Sequence, residues 1–210
     1  MSLANFLTVL RVVLVPFFVW AFLMDTVEGN WAACAIFIAA AVTDYFDGFF
    51  ARRYHQVSNF GKIFDPLADK ILVASALILF GVYDLVPDWM VFVILIREAV
   101  VTAIRFEALN QGRALAAEKS GKLKTVLQLT AVIATLILVA LRSTVPSEAE
   151  WEQFILLFPP LKTALQAFMD YGPYVLTLLA TLASIASGAD FLWKNREFLG
   201  ERHPRETPTR

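Results

Sequence analysis

The feature that most constrains this chain is a succession of apolar runs, several close to the roughly 20 residues an α-helix needs to cross the hydrocarbon core of a bilayer. Of its 210 residues, 58% are hydrophobic, and mean hydropathy is +0.62, far above a soluble domain. Backbone polar groups in lipid must be satisfied within the segment itself, so such runs fold as helices. They read as six spans: Phe6–Met24 (with Arg11 and Pro16 inside), Trp31–Tyr54, Gly61–Tyr83, Trp89–Leu109, Gly121–Leu141 and Tyr171–Trp193. Asp25–Asn30 and Asp84–Asp88 are short acidic connections. The Arg142–Asp170 segment holds Pro146, Pro159 and Pro160 and reads as a loop with a short interfacial helix. The expected fold class is an all-α integral membrane protein with six transmembrane helices. Residues 1–194 form one transmembrane domain. Residues 195–210 form a polar tail with Pro204 and Pro208, expected to be poorly ordered.

The first run carries Arg11 and no small-residue cleavage site, so it reads as a span rather than a removable signal. The single cysteine, Cys34, lies in an apolar run. It excludes an intrachain disulfide and a cysteine-based metal site. Net charge is −1, which gives no pointer to nucleic acid. Orientation follows from the basic residues. Asp25–Asn30 and Asp84–Asp88 have none, and the connection before the sixth span has mainly Glu148, Glu150, Glu152 and Asp170 against Arg142 and Lys162. Arg52, Arg53, Lys62, Arg113, Lys119, Lys122, Lys124, Lys194, Arg196, Arg202, Arg205 and Arg210 fall on the other side. That side is the cytoplasm, and six spans put both termini there.

Four aspartates stand where these runs meet that face: Asp44, Asp47, Asp65 and Asp69. A carboxylate within a span is costly unless neutralised, and such residues are usually functional. Asp44 and Asp47 are i,i+3 and Asp65 and Asp69 are i,i+4, so each pair projects from one helix face. Asp44 and Asp47 approach a helix C-terminus, where the macrodipole disfavours anions. Four converging carboxylates ask for a hard divalent ion, Mg²⁺ or Mn²⁺. Gly48 and Gly61 leave backbone open to a ligand, and Arg52 follows Gly48 by one helical turn. Pro66 is expected in the first turn of the third helix, where it is tolerated. Carboxylates, metal, glycines and a guanidinium together suit a pyrophosphate, and two metals there would clamp an in-line displacement. The bland alternative, a solvated helix end, fits poorly with two such pairs bounded by apolar runs. For Gly48 or Gly61 alone, tight helix packing is as good a reading.

The pattern Asp44-x2-Asp47-Gly48-x2-Ala51-Arg52-x8-Gly61-x3-Asp65-x3-Asp69 resembles the signature of the CDP-alcohol phosphotransferase family, with every position matched. The resemblance implies that family's fold: a six-helix membrane enzyme, homodimeric, with a polar cavity facing the cytoplasm. It implies transfer of a substituted phosphate from a CDP-linked donor to an alcohol, releasing CMP. By the resemblance Asp44, Asp47, Asp65 and Asp69 hold two metal ions, and Asp69 is also the general base. Gly48, Ala51, Arg52 and Gly61 contact the cytidine diphosphate.

The acceptor is read from the rest of the chain. Glu98, Thr102 and Arg105 share one face of the fourth span, with Arg97 adjacent. Arg97 and Arg105 lie in an apolar helix and should face a cavity. With Lys119, Lys122 and Lys124 they suit an anionic acceptor such as a phosphate. The structural alternatives are a buried Arg97–Glu98 ion pair, and topology or anionic-lipid contact for the lysines. Thr8 and Arg11 either line the same cavity or leave Arg11 snorkelling to the interface. Asn5-Phe6-Leu7-Thr8-x2-Arg11, Pro16-Phe17-Phe18, Ile96-Arg97-Glu98, Ala103-Ile104-Arg105 and Ser120-Gly121-Lys122-x-Lys124-Thr125 are similar to the family branch that makes phosphatidylglycerol phosphate. That likeness implies CDP-diacylglycerol and sn-glycerol 3-phosphate as substrates, in a bacterial cytoplasmic (inner) membrane. Inositol phosphate, serine or phosphatidylglycerol are the alternative acceptors. A divalent-cation transporter is the remote alternative, since Trp31–Val42 and Ile71–Phe80 offer almost no polar lining through the outer half.

Overall fold

In the computed structural model, residues 3–54, 59–113, 115, 120–144, 149–150, 153, 156 and 162–200 are described, with side chains omitted for 3–8, 44–54, 59–69, 120, 162–163 and 165–166. The described residues contain helices and turns and no strand. The long helices are α1 (Leu3–Leu23), α2 (Val27–Tyr54), α3 (Asn59–Val82), α4 (Asp88–Asn110), α5 (Ser120–Thr144) and α6 (Lys162–Lys194). A short α7 (Arg196–Gly200) follows.

The helix ends have local causes. Thr26 caps α2 by accepting a hydrogen bond from the Gly29 N–H at 3.1 Å, which starts that helix four residues before the expected Trp31. α3 closes with Asp84 in the left-handed region at φ 53°. The Asp84 N–H donates to the Gly81 carbonyl (3.0 Å) and the Leu85 N–H to the Phe80 carbonyl (2.8 Å), the paired bonds of a Schellman stop. α4 closes the same way with Gly112 at φ 68°, a position that suits glycine. At its start, Pro87 fixes the extended entry, and Asp88 in the first turn complements the macrodipole.

The helices form a closed ring, each packing on the next in the order α1, α2, α5, α6, α4, α3 and back to α1. α3 also touches α2 and α5, so it reaches furthest inward. At the end of the bundle away from the α2–α3 connection the core is aromatic. Phe18 stacks obliquely on Phe37 (centroids 5.5 Å apart), and Phe22 meets Phe80 (6.3 Å) and the edge of Tyr83 (5.3 Å). Leu72, Ala76, Leu77, Ile94, Val132 and Leu136 continue this core.

Outside the ring, large apolar side chains stay exposed, among them Trp20, Phe92, Leu109 and Trp193. A soluble monomer rarely exposes so much apolar surface. Gly121–Thr144 and Ala167–Lys194 are long and apolar enough to cross a membrane. Val9–Leu23, Val27–Thr43 and Lys70–Val82 are shorter apolar stretches. The described residues are all-helical, and their exposed apolar faces suit a membrane protein.

Beyond the start of α2, the boundaries differ from expectation in three further places. α6 begins at Lys162, nine residues before the expected Tyr171, with Pro173 inside it. One missing N–H does not stop a 33-residue helix whose Gly172 lies in contact with Leu138 of α5. α3 starts at Asn59, which puts Pro66 two turns in rather than in the first turn. The tail begins as helix α7, and residues 201–210 lie outside the described residues.

Candidate active site

α2 and α3 adjoin and are joined by the short connection 55–58. At about 1.5 Å of rise per residue, Asp44 and Asp47 stand about 15 and 10 Å before the end of α2. Asp69 and Asp65 stand about 15 and 9 Å after the start of α3. The two pairs therefore occupy matching levels on adjoining helices. The side chains of Asp44, Asp47, Gly48, Ala51, Arg52, Gly61, Asp65 and Asp69 lie outside the described residues, as do those of Thr8 and Lys119. The donor set itself fits a hard divalent ion: four carboxylates, all oxygen, on two levels.

Directly beyond Asp69 the side chains are described, and they form one polar network. Its hub is Glu98 of α4. The Glu98 Oε1 accepts from the Lys124 ammonium of α5 and from Arg97 Nη1 at 3.2 Å. Its Oε2 lies 3.7 Å from Lys70 Nζ of α3. Lys70 also donates to Thr102 Oγ1, and that hydroxyl donates to the Glu98 carbonyl at 2.6 Å. Arg97 Nη2 donates to Ser187 Oγ of α6 at 2.7 Å. Glu98, Arg97 and Lys124 are largely buried, with side-chain exposures of 15%, 12% and 9%.

The geometry explains why these side chains meet. α4 and α5 do not pack on one another among the described residues, so Lys124 crosses the interior of the ring to reach Glu98. Arg97 lies over α6 at Gly188, where a Cβ would come within 3.0 Å of its Cγ. The missing side chain at Gly188 is the space that Arg97 occupies. About two turns further along α4, Arg105 places its guanidinium over the Phe191 ring, 5.3 Å from the centroid, a cation–π contact. Lys70 lies within electrostatic reach of Lys124, Arg105 and Arg97.

The sequence-predicted cations thus divide. Arg97 and Lys124 converge on Glu98, so the buried Arg97–Glu98 ion pair does form. Arg105 lies nearby on the same helix. Lys122 points away and is exposed, because residues two apart on a helix cannot share a face. Arg11 is fully buried, which does not fit a side chain snorkelling to the interface. Lys70 belongs to the network although the sequence reading passed over it.

A family model described as CDP-alcohol phosphatidyltransferase matches residues 1–189. The chain belongs to that family. A Bacillus subtilis (strain 168) protein named CDP-diacylglycerol–glycerol-3-phosphate 3-phosphatidyltransferase is 41% identical over 148 residues, 65% of this chain and 77% of the relative. An Escherichia coli (strain K12) protein of the same name is 39% identical over 137 residues, 62% of this chain and 74% of the relative. A Shigella flexneri serotype 5b protein of that name matches to the same extent. In this CDP-alcohol phosphatidyltransferase, the helices that carry the aspartates and those that carry the cations belong to one ring.

Proposed function

We propose that the protein joins CDP-diacylglycerol to sn-glycerol 3-phosphate, giving phosphatidylglycerol phosphate and CMP. The relatives' shared name supports this. The observation that carries the choice of acceptor is the cation network beside the aspartate-bearing helix. Lys70, Arg97 and Lys124 bring three cations from three helices together at one carboxylate, Glu98. A phosphate monoester carries about −1.5 to −2 at neutral pH, an anion suited to such a cation cluster. Serine is neutral overall and has no comparable demand for one.

In this reading Asp44, Asp47, Asp65 and Asp69 hold two Mg²⁺ or Mn²⁺ ions, which when bound neutralise the pyrophosphate and ease the departure of CMP. The chain's own residues do the rest. Gly48 and Gly61 let backbone approach the cytidine diphosphate, with Ala51 and Arg52 beside it. Arg97, Arg105 and Lys124, together with Lys119, draw in and orient the acceptor's phosphate. Asp69 accepts the proton of the acceptor's 1-hydroxyl as that oxygen bonds to the phosphorus bearing the diacylglycerol. The bond from that phosphorus to the CMP oxygen breaks, and CMP leaves with the electron pair.

The six long helices are the six spans, with both termini and the active site facing the cytoplasm of a bacterial inner membrane. The apolar stretch Lys70–Val82 covers only about 20 of the roughly 30 Å of hydrocarbon. The part of α3 with Asp65 and Asp69 completes the crossing, so these carboxylates lie within the membrane's thickness. The functional unit is a homodimer, as the family resemblance implies.

The test is CMP release by purified protein with CDP-diacylglycerol and Mg²⁺ or Mn²⁺. Glycerol 3-phosphate, inositol phosphate, serine and phosphatidylglycerol are offered separately. Release with glycerol 3-phosphate alone is expected. Release only with another acceptor would overturn the acceptor assignment, and no release from folded protein would overturn the transferase reading.

A further inference from the structure

We infer that Glu98 is a positioning residue for the cations that bind the acceptor's phosphate, and that Lys70 is one of those cations. The inference rests on the proposed reading and deepens it. The observation is the convergence at Glu98 of three cations from three helices: Lys70 from α3, Arg97 from α4 and Lys124 from α5. Like charges brought together in a low-dielectric interior repel. A carboxylate between them, with one oxygen toward Lys124 and Arg97 and the other toward Lys70, holds them on one side of a common space. Thr102 fixes the geometry further, since its hydroxyl is tied to the Glu98 carbonyl (2.6 Å) and accepts from Lys70.

Lys70 is the informative member. It directly follows Asp69 on α3, and its side chain is a third exposed, against a tenth for Lys124. It is therefore the most open of the three cations at Glu98. A phosphate that engages Lys70 and Lys124 is tied at once to the helix carrying the proposed base and to the helix across the ring. Acceptor binding and placement of its hydroxyl at Asp69 then become one event. Effective positioning of this kind is worth more to the reaction than the contact alone.

The test is steady-state CMP release from the full-length enzyme in lipid–detergent micelles, with each substrate varied in turn. Glu98→Gln keeps the shape of the hub and removes its charge. Lys70→Gln removes one cation, and Lys70→Arg keeps it. Glu98→Gln and Lys70→Gln are expected to raise the KM for glycerol 3-phosphate by about tenfold or more, the effect of losing one charge-assisted contact. The KM for CDP-diacylglycerol is expected to stay within about twofold of the wild type, below the effect of any lost contact. Lys70→Arg is expected to recover most of the loss. A merely structural role would lower the thermal midpoint without this split between the two KM values. An unchanged acceptor KM in Lys70→Gln, or a rise confined to the donor, overturns the inference even if Glu98→Gln does not fold. Failure of the underlying transferase reading shows separately, as a wild type without CMP release. If the wild type prefers another phosphorylated acceptor, the same split is read on that acceptor.

Discussion

Gly188→Ala is the perturbation whose sign depends on one side chain. The added Cβ would sit 3.0 Å from Arg97 Cγ and 3.4 Å from Nε. Carbon atoms in good contact are about 3.5–4.0 Å apart, so Arg97 must yield by about 0.5–1 Å. It is held at its far end by Ser187 (2.7 Å) and Glu98 (3.2 Å), so the shift loosens one of these bonds. A hydrogen bond to a charged group contributes about 1.5–3 kcal/mol, while alanine in a helix gains about 1 kcal/mol over glycine. The net expectation is destabilisation by about 0.5–2 kcal/mol. Because Arg97 belongs to the cation set, the KM for glycerol 3-phosphate should rise between about twofold and about thirtyfold. In an Arg97→Ala background the clash disappears and only the helix gain remains, so Gly188→Ala should stabilise by about 1 kcal/mol. The assay is thermal unfolding in detergent for the four proteins of the double-mutant cycle, with acceptor KM measured on each. The same sign of effect in both backgrounds would refute the argument that Gly188 exists to seat Arg97.

Four further outcomes are expected. Arg105→Ala should raise the KM for glycerol 3-phosphate by about tenfold and leave that for CDP-diacylglycerol nearly unmoved; an effect on the donor alone would place Arg105 at the nucleotide. Asp69→Asn should abolish CMP release without lowering the thermal midpoint, and retained turnover would remove Asp69 as the base. Chelation of divalent ions should stop CMP release, and added Mg²⁺ or Mn²⁺ should restore it. Asp84→Gly at the end of α3, where φ is 53°, should stabilise by about 0.5 kcal/mol. That figure sets a left-handed cost of about 1 against glycine's entropic cost of about 0.5, and it is read as a rise in the thermal midpoint.

The long helices were legible because length and apolarity dictate them, and most boundaries fall within a few residues of the sequence reading. α6 was the exception. The residues up to Asp170 read as a loop with a short interfacial helix, yet Lys162–Asp170 is the continuous start of α6. The matched levels of the aspartate pairs also follow from the sequence once α2 and α3 are known to adjoin through a short connection. The position of Arg11 was open to the same reasoning. It shares a helix face with Phe18 and Phe22 (i, i+7, i+11), all three are buried, and that phase argues against an interfacial arginine.

What the sequence could not show is which charges meet. Lys124 finds Glu98 across the interior between two helices that do not pack together, and only the order of the ring brings them within reach. Grouping Lys119, Lys122 and Lys124 by proximity hid the phase difference that leaves Lys122 exposed and Lys124 buried. Lys70 was hidden differently, by standing next to a more conspicuous neighbour. A lysine opening the apolar stretch Lys70–Val82 is as costly in a span as the aspartate before it. The rule that raised Asp44, Asp47, Asp65 and Asp69 applies to it unchanged. Applied evenly, that rule asks of every charge in a span what neutralises it. For Lys70 the answer is Glu98, which it shares with Arg97 and Lys124.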